Sequence, residues 1–278
     1  MVRRRGRRLD QMDTFTGKTI LLTGASEGIG RALALELARD RPNLVLAARN
    51  EERLRSAAEE CRSIGAQVLE YAMDVSDPGA CRAVVARAVE RFGSLDVLVN
   101  NAGITMWSRF DAVQDFTTFE RLMAVNYFGC VHMTAAALDH LKRSRGLIVG
   151  VSSIAGLTGV PERTGYAASK HAMVGFLESL RIELAGTGVD VTIIAPDFVV
   201  SEIHRRALGP DGKPLGRSPM QESRIMTAAT CARHIRRAIE RRQRLMIPSL
   251  RGKLVRPFRI LAPALVDRLA ARAIRNHR

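Results

Sequence analysis

Seven short apolar runs, each separated from the next by a longer helical stretch, constrain this 278-residue chain more than any other feature. The runs are Thr19–Thr23, Asn43–Ala48, Ala66–Ala72, Asp96–Asn100, Gly146–Ser152, Val189–Ala195 and a weaker Arg244–Ile247. Most are continuously apolar, without polar alternation, which marks strands covered by helices on both faces. Seven such strands predict an α/β fold, a doubly wound parallel sheet, in one domain over 18–249. The segment 197–226 breaks the pattern. It carries Gly209, Pro210, Gly212, Pro214, Gly216 and Pro219 without clean periodicity. It follows the sixth strand, at the sheet edge where such folds bind ligands, and so reads as a lid.

The cysteines Cys61, Cys81, Cys130 and Cys231 form no C-x-x-C pair and no cluster with histidine. They read as small buried hydrophobes in a reducing, cytoplasmic setting, and no metal site is expected. No apolar run approaches the length of a membrane span. The net charge of +15 lies mostly at the ends, in a basic N-terminal tail over 1–17 and a basic extension over 250–278. Residues 1–18 hold a net +4, from Arg3, Arg4, Arg5, Arg7, Arg8 and Lys18 against Asp10 and Asp13. Residues 250–278 hold +7, from seven arginines and Lys253 against Asp267. Basic tails suit an acidic partner, a membrane surface or nucleic acid, or stay solvated without one. The last stretch, after Pro257 and Pro263, is a basic amphipathic helix from Ala264. Leu265, Val266, Leu269, Ala270, Ala273 and Ile274 lie on one side, and Arg268, Arg272 and Arg275 on another. Docking onto the body or a second subunit is favoured over lying on an anionic membrane.

The first run leads into Thr23-Gly24-Ala25-Ser26-Glu27-Gly28-Ile29-Gly30 and then a helix. Glycines between a first strand and a first helix allow positive φ. They also let a pyrophosphate approach the backbone and the free N–H groups of the helix N-terminus. Further on, Tyr166 and Lys170 stand four residues apart on one helix face. A free phenol holds its proton to about pH 10, and a fixed positive charge nearby favours the phenolate. A Tyr–Lys pair is therefore suited to acid/base work near neutral pH.

In these motifs the chain resembles the short-chain dehydrogenase/reductase family, compact single-domain type, over roughly residues 16–248. The resemblance rests on TGASEGIG at 23–30, Asp74 after the third run, Asn100-Asn101-Ala102-Gly103 after the fourth, Asn126, Ser152-Ser153, and Tyr166-x-x-x-Lys170. Ser153 precedes Tyr166 by thirteen residues, as in that family. The resemblance implies a Rossmann-type sheet and an oxidoreductase interconverting a ketone or aldehyde and an alcohol. It implies Tyr166 as acid/base, Lys170 supporting it and reaching the nicotinamide ribose, Ser153 holding the substrate oxygen, and Asn126 supporting a proton relay. Gly24, Ser26, Gly28, Ile29 and Gly30 would seat the cofactor phosphates. Asn101, Ala102 and Gly103 would run along the adenosine ribose, with Asp74 and Val75 at the adenine. Pro196, Val199 and Ser201 would line the nicotinamide end, where this chain has Asp197 in place of the family's frequent Gly. Relatives also imply a homodimer or homotetramer built on the helices after the fourth and fifth strands.

The second run ends Ala47-Ala48-Arg49-Asn50, with no carboxylate before Glu51. Arg49 can fork onto a 2′-phosphate, with Asn50 beside it and Ser26 adding a hydroxyl, so NADP(H) is expected over NAD. Glu27 opposes this if its carboxylate points inward. The expected substrate pocket is mostly apolar, with Ile104, Met106, Trp107, Phe110, Ile154, Leu157, Val160 and Phe198. Arg163, His204, Arg205 and Arg206 are the cations within reach. A lipophilic carbonyl or alcohol is the expected substrate. The alternative is a catalytically weak cofactor-binding scaffold or sensor, held at a membrane by the basic tails. Nucleic-acid binding is not expected, because the charge sits on tails and no aromatic stacking platform is visible.

Overall fold

The computed structural model describes residues 14–220 and 225–276, so the basic stretch 1–13, lid residues 221–224 and the last two residues lie outside the described residues. The strands are β1 (Thr19–Thr23), β2 (Asn43–Ala48), β3 (Gln67–Ala72), β4 (Val97–Asn100), β5 (Leu147–Val151), β6 (Asp190–Ile194) and β7 (Leu245–Met246). They form one parallel sheet in the order β3-β2-β1-β4-β5-β6-β7. The order reverses between β1 and β4, which opens a crevice at the carboxyl ends of those strands.

Helices cover both faces of the sheet. On one side, α1 (Gly28–Ala38), α2 (Glu51–Ile64) and α7 (Ala228–Glu240) bury Leu33, Leu37, Leu54 and Ile235 against Ile20, Leu22 and Leu46. On the other, α3 (Pro78–Phe92), α5 (Gly129–Ser144) and α6 (Thr164–Glu183) bury Val84, Met133, Met173 and Leu177 against Leu21, Val45, Leu98 and Ile148. Each fully buried leucine contributes about 1.5–3 kcal/mol, so these two layers hold the sheet. β3 is partly exposed because it is the sheet edge. The four cysteines are buried and unbridged. Burial pushes the thiols of Cys61, Cys130 and Cys231 up to about 12 and that of Cys81 up to about 11. α7 is clamped to the end of α1 by Arg236, whose Nη2 donates to both Asp40 carboxylate oxygens at 3.0 and 2.9 Å. The lid is tied to the loop after β4: Trp107 N donates to the Leu208 carbonyl and Leu208 N to the Thr105 carbonyl, both at 2.9 Å.

Two local features go beyond what the apolar runs and motifs specify. α4 (Thr117–Met123) does not pass directly into α5; a π-helical turn, Ala124–Phe128, joins them and carries Asn126. A π-turn adds a residue and re-aims the side chain it carries. The C-terminal region also begins earlier than Ala264, as two helices, α8 (Leu250–Leu261) and α9 (Pro263–Asn276). Pro257 lies inside α8 and does not break it. A proline removes one ladder bond, whereas the helix start is secured by Ser249, whose hydroxyl accepts from Gly252 N at 3.0 Å. α8 docks on the body. Arg259 donates to the Leu157 carbonyl and lies 3.2 Å from His171 Nε2. In α9, Val266 is buried while Leu265 and Leu269 remain half exposed; the side chains of Ala273, Ile274 and Arg275 lie outside those described.

Candidate active site

A cavity of about 650 Å³ opens at the carboxyl edge of the sheet, roofed by the lid and by α8 and α9. Its walls come from the turns that follow six successive strands. After β1 they include Gly24, Ser26, Gly28, Ile29 and Gly30; after β2, Arg49 and Asn50; after β3, Asp74 and Val75. After β4 come Asn101, Ala102 and Gly103; after β5, Ser153; after β6, Pro196, Val199 and Ser201. Tyr166 and Lys170 enter from α6. Of the catalytic and cofactor residues expected from sequence, Asn126 alone does not line the cavity. The expected substrate wall divides. Ile104, Ile154, Val160 and Phe198 line the cavity, whereas Met106, Trp107 and Leu157 are buried behind it and Phe110 faces solvent.

The β1–α1 turn is built for close approach. Gly24 and Gly28 have φ of +66° and +54°, where a side chain is strained. Gly30 has ordinary φ, but a Cβ there would collide with the Gly24 carbonyl oxygen. Asn101 braces this turn: its Nδ2 donates to the Thr23 and Gly24 carbonyls at 3.0 and 3.2 Å. Glu27, at the N-cap of α1, makes no side-chain cap bond. The first-turn N–H groups of α1 therefore face the crevice with the positive end of the helix dipole behind them. This cradle, too tight for a Cβ and lined by uncapped donors, fits the pyrophosphate of a dinucleotide.

Glu27 is not left bare. It accepts from Arg53 at 2.8 Å and from Arg206 of the lid at 2.7 Å. Burial still pushes its carboxyl above the usual range, with Arg53 working against that. Arg49 lies 3.7 Å from Asp74, and both are partly exposed. Asp74 also holds its own turn, accepting from the Ser76 amide and hydroxyl at 2.9 and 2.7 Å.

At the other end of the cavity Tyr166 is buried among Met106, Leu122, Ala155 and Leu208. Lys170 Nζ donates to the Val151 carbonyl at 2.9 Å and lies 5.9 Å from the Tyr166 ring centre. Ser153 makes only long contacts, accepting from Ala155 N at 3.2 Å and donating to the Pro196 carbonyl at 3.4 Å. Asn126 acts from behind the wall. Its Oδ1 accepts from Ile104 N at 2.8 Å, and its Nδ2 donates to Ile104 O and Ser169 Oγ at 3.0 and 2.9 Å. It thus ties the strand-end loop to α6.

Among the cations within reach, His204 is buried with Nε2 at 3.0 Å from the Val199 carbonyl, Arg205 faces out toward Glu202, and Arg206 holds Glu27. Arg163 is different. It is 5% exposed, lines the cavity, and its guanidinium stacks over Trp107 at 4.9 Å, Tyr166 at 4.7 Å and Phe198 at 5.6 Å. Burial pulls its titration below the usual arginine range. Arg53 and Arg259 carry no signal in the sequence, because only the fold shows that they reach Glu27 and the loop after β5.

The family model described as short chain dehydrogenase matches residues 18–209. The chain belongs to that family. Its members are short-chain dehydrogenase/reductase oxidoreductases, and this dehydrogenase shares their fold. It is 36% identical over 262 residues to "11-beta-hydroxysteroid dehydrogenase 1A" of Arabidopsis thaliana, covering 92% of this chain and 75% of that protein. It is 39% identical over 226 residues to "11-beta-hydroxysteroid dehydrogenase-like 4A" of the same plant, covering 81% and 74%. A short chain dehydrogenase/reductase from Burkholderia phymatum, solved in complex with NAD, superposes with a TM-score of 0.81 at 28% identity, covering 91% of this chain and 96% of that one. An alcohol dehydrogenase from Thermococcus sibiricus, complexed with 5-hydroxy-NADP, gives 0.71 at 28%, covering 83% and 95%.

Proposed function

We propose that this dehydrogenase interconverts a lipophilic ketone or aldehyde and its alcohol with NADP(H), using Tyr166 as the acid/base. The observation that carries the reading is the shared cavity: the glycine turn, Arg49, Ser153, Tyr166 and Lys170 all face one space. The cofactor, when bound, supplies or accepts the hydride. The chain's own groups do the rest. Tyr166 passes the proton at the substrate oxygen, Ser153 fixes that oxygen with its loosely held hydroxyl, and Lys170, buried beside the phenol, keeps positive charge at the proton-transfer end. Asn126 holds the geometry by locking Ile104 and Ser169, and belongs to the proton path in the same reading. Activity measured with a carbonyl and alcohol panel at the NADPH absorbance band tests the reaction; a panel that spans steroids, fatty ketones and terpenoids with no turnover would overturn it.

NADP(H) is preferred in this reading because Arg49 and Ser26 line the cavity beside the glycine turn, where the adenosine ribose belongs, while Arg53 and Arg206 draw the Glu27 carboxylate to themselves. Exchanging Arg49 for Asp removes a phosphate partner and adds an acceptor for a ribose hydroxyl. The ratio of kcat/KM for NADP over NAD is expected to fall by about 10²-fold, each charge-assisted bond being worth roughly 1.5–3 kcal/mol. An unchanged ratio in Arg49→Asp would refute the assignment.

The lipophilic substrate is supported by the roof. Leu254, Phe258, Leu265, Val266 and Leu269 of α8 and α9 line the cavity, and the hydroxysteroid dehydrogenase names of the plant relatives point the same way. The exposed faces of these helices add a peripheral membrane contact to the reading. Leu250, Ile260 and Leu261 are 75–83% exposed beside Arg251 and Lys253. No helix among the described residues is long and apolar enough to cross a membrane. Flotation with anionic liposomes is expected to carry the full chain and not a chain ending at residue 249; equal flotation of both would exclude α8 and α9 as the contact. A dimer or tetramer on α5 and α6, with Phe128 exposed just before α5 and Ile182 exposed on α6, completes the reading, and light scattering reads it directly.

A further inference from the structure

We propose that Arg163 selects substrates by binding a carboxylate carried near the reacting carbon of an otherwise apolar molecule. This rests on the reading of the cavity as a carbonyl/alcohol site and names the head group of what enters it. A guanidinium taken out of water is stable only when its charge and its donors are met. The chain shows how it does this elsewhere: Arg236, also nearly buried, is paired to both Asp40 and Glu240. Arg163 has no such partner among the described residues. Its Nη2 donates to the neutral hydroxyl of Thr105 at 2.9 Å, and its Nε has no hydrogen-bond partner. Burial works against its charge, Tyr166 and then Asp197 favour it, and neither forms an ion pair with it. Three aromatic faces offset part of the desolvation but leave Nε without a hydrogen bond and the charge without a counter-ion.

What is missing is an anion of the right shape. A guanidinium fork matches a carboxylate two bonds at a time, whereas a neutral carbonyl would leave the buried charge uncompensated. Position narrows the substrate further. Arg163 lies over the Tyr166 ring itself, so a carboxylate on its edge sits within a few bonds of an oxygen at the Tyr166 hydroxyl. The rest of the molecule then runs along Ile154 and Phe198 toward Leu254 and Phe258. The class is an oxo- or hydroxy-carboxylic acid with both groups at one end and an apolar tail.

Binding can be read without turnover. Trp107 is the only tryptophan in the chain and stacks against Arg163, so its fluorescence reports on this end of the cavity. Octanoate and methyl octanoate are titrated into the NADP⁺-loaded protein, with calorimetry to give the dissociation constants. The wild-type protein is expected to bind the acid at least about tenfold tighter than the ester, Arg163→Met to lose that preference, and Arg163→Lys to keep part of it. Equal affinity for acid and ester in the wild type, which needs no variant to fold, overturns the proposal; so does a preference that survives in Arg163→Met. Carboxylate preference in a protein that turns over no carbonyl compound would uphold Arg163 and refute the reading of Tyr166. Turnover of neutral ketones with no carboxylate preference would do the reverse.

Discussion

Replacing Tyr166 by Phe is expected to lower kcat by about 10²–10⁴-fold while leaving cofactor affinity and folding almost unchanged. The reason lies in how the ring and the hydroxyl divide their work. The ring is 8% exposed and packs among Met106, Leu122, Ala155 and Leu208, contacts that phenylalanine repeats. Among the described residues nothing in the fold hydrogen-bonds the hydroxyl, so its loss costs no structural bond. The cation stacking of Arg163 needs only a ring. The variant therefore separates proton transfer from everything else the site does. Turnover is followed at the NADPH absorbance band, cofactor affinity by fluorescence and stability by thermal unfolding. Wild-type turnover in the Phe variant would remove Tyr166 from the chemistry, whereas loss of turnover together with a large fall in Tm would point to a packing role.

Much of this architecture is legible in the sequence because it is local. Continuous apolar runs specify buried parallel strands, and a glycine triplet between the first run and the first helix specifies a tight turn with positive φ. Both patterns sit within a few residues, and the strand bounds read from sequence differ from the observed ones by at most one residue at either end. The rest depends on groups that meet only after folding. Glu27 carries a local contradiction, an acid where a phosphate is expected, and the resolution comes from Arg53, 26 residues away, and Arg206, 179 away. Asn126 reads as a residue of an ordinary helix, because nothing in AVNYF announces the π-turn that turns its amide onto Ile104. The sequence reading starts the C-terminal helix only at Ala264, after Pro257, yet α8 runs through that proline because its start is capped and Arg259 anchors it to the body. Arg163 reads only as one of four cations within reach of the pocket. The convergence of Trp107, Tyr166 and Phe198 from three segments is what sets it apart as a buried cation.

Gly30→Ala is expected to lower cofactor affinity by about 10²-fold or more and to destabilise the protein by about 1–3 kcal/mol, the usual cost of forcing atoms into a filled space. The added Cβ would overlap the Gly24 oxygen and lie 2.8 Å from the Gly24 carbonyl carbon and 2.7 Å from Asn101 Nδ2. None of these can step aside cheaply. The Gly24 carbonyl is backbone in a turn whose φ of +66° is already special, and it accepts from the same Asn101 amide that braces the turn onto β4. Moving Asn101 away would release the Thr23 carbonyl as well. Either response opens the cradle at the point where, in the proposed reading, the helix N-terminus and the backbone both approach a phosphate. Gly175 supplies the matched control. It lies exposed within α6, a Cβ there meets nothing within 4 Å, and Gly175→Ala is expected to raise stability by about 0.4–1 kcal/mol through helix propensity and a less flexible unfolded chain. Thermal unfolding and NADP⁺ titration of the two variants side by side read opposite signs if the cradle is as tight as described. Wild-type cofactor affinity in Gly30→Ala would mean that the turn relaxes without cost and that the phosphate site lies elsewhere.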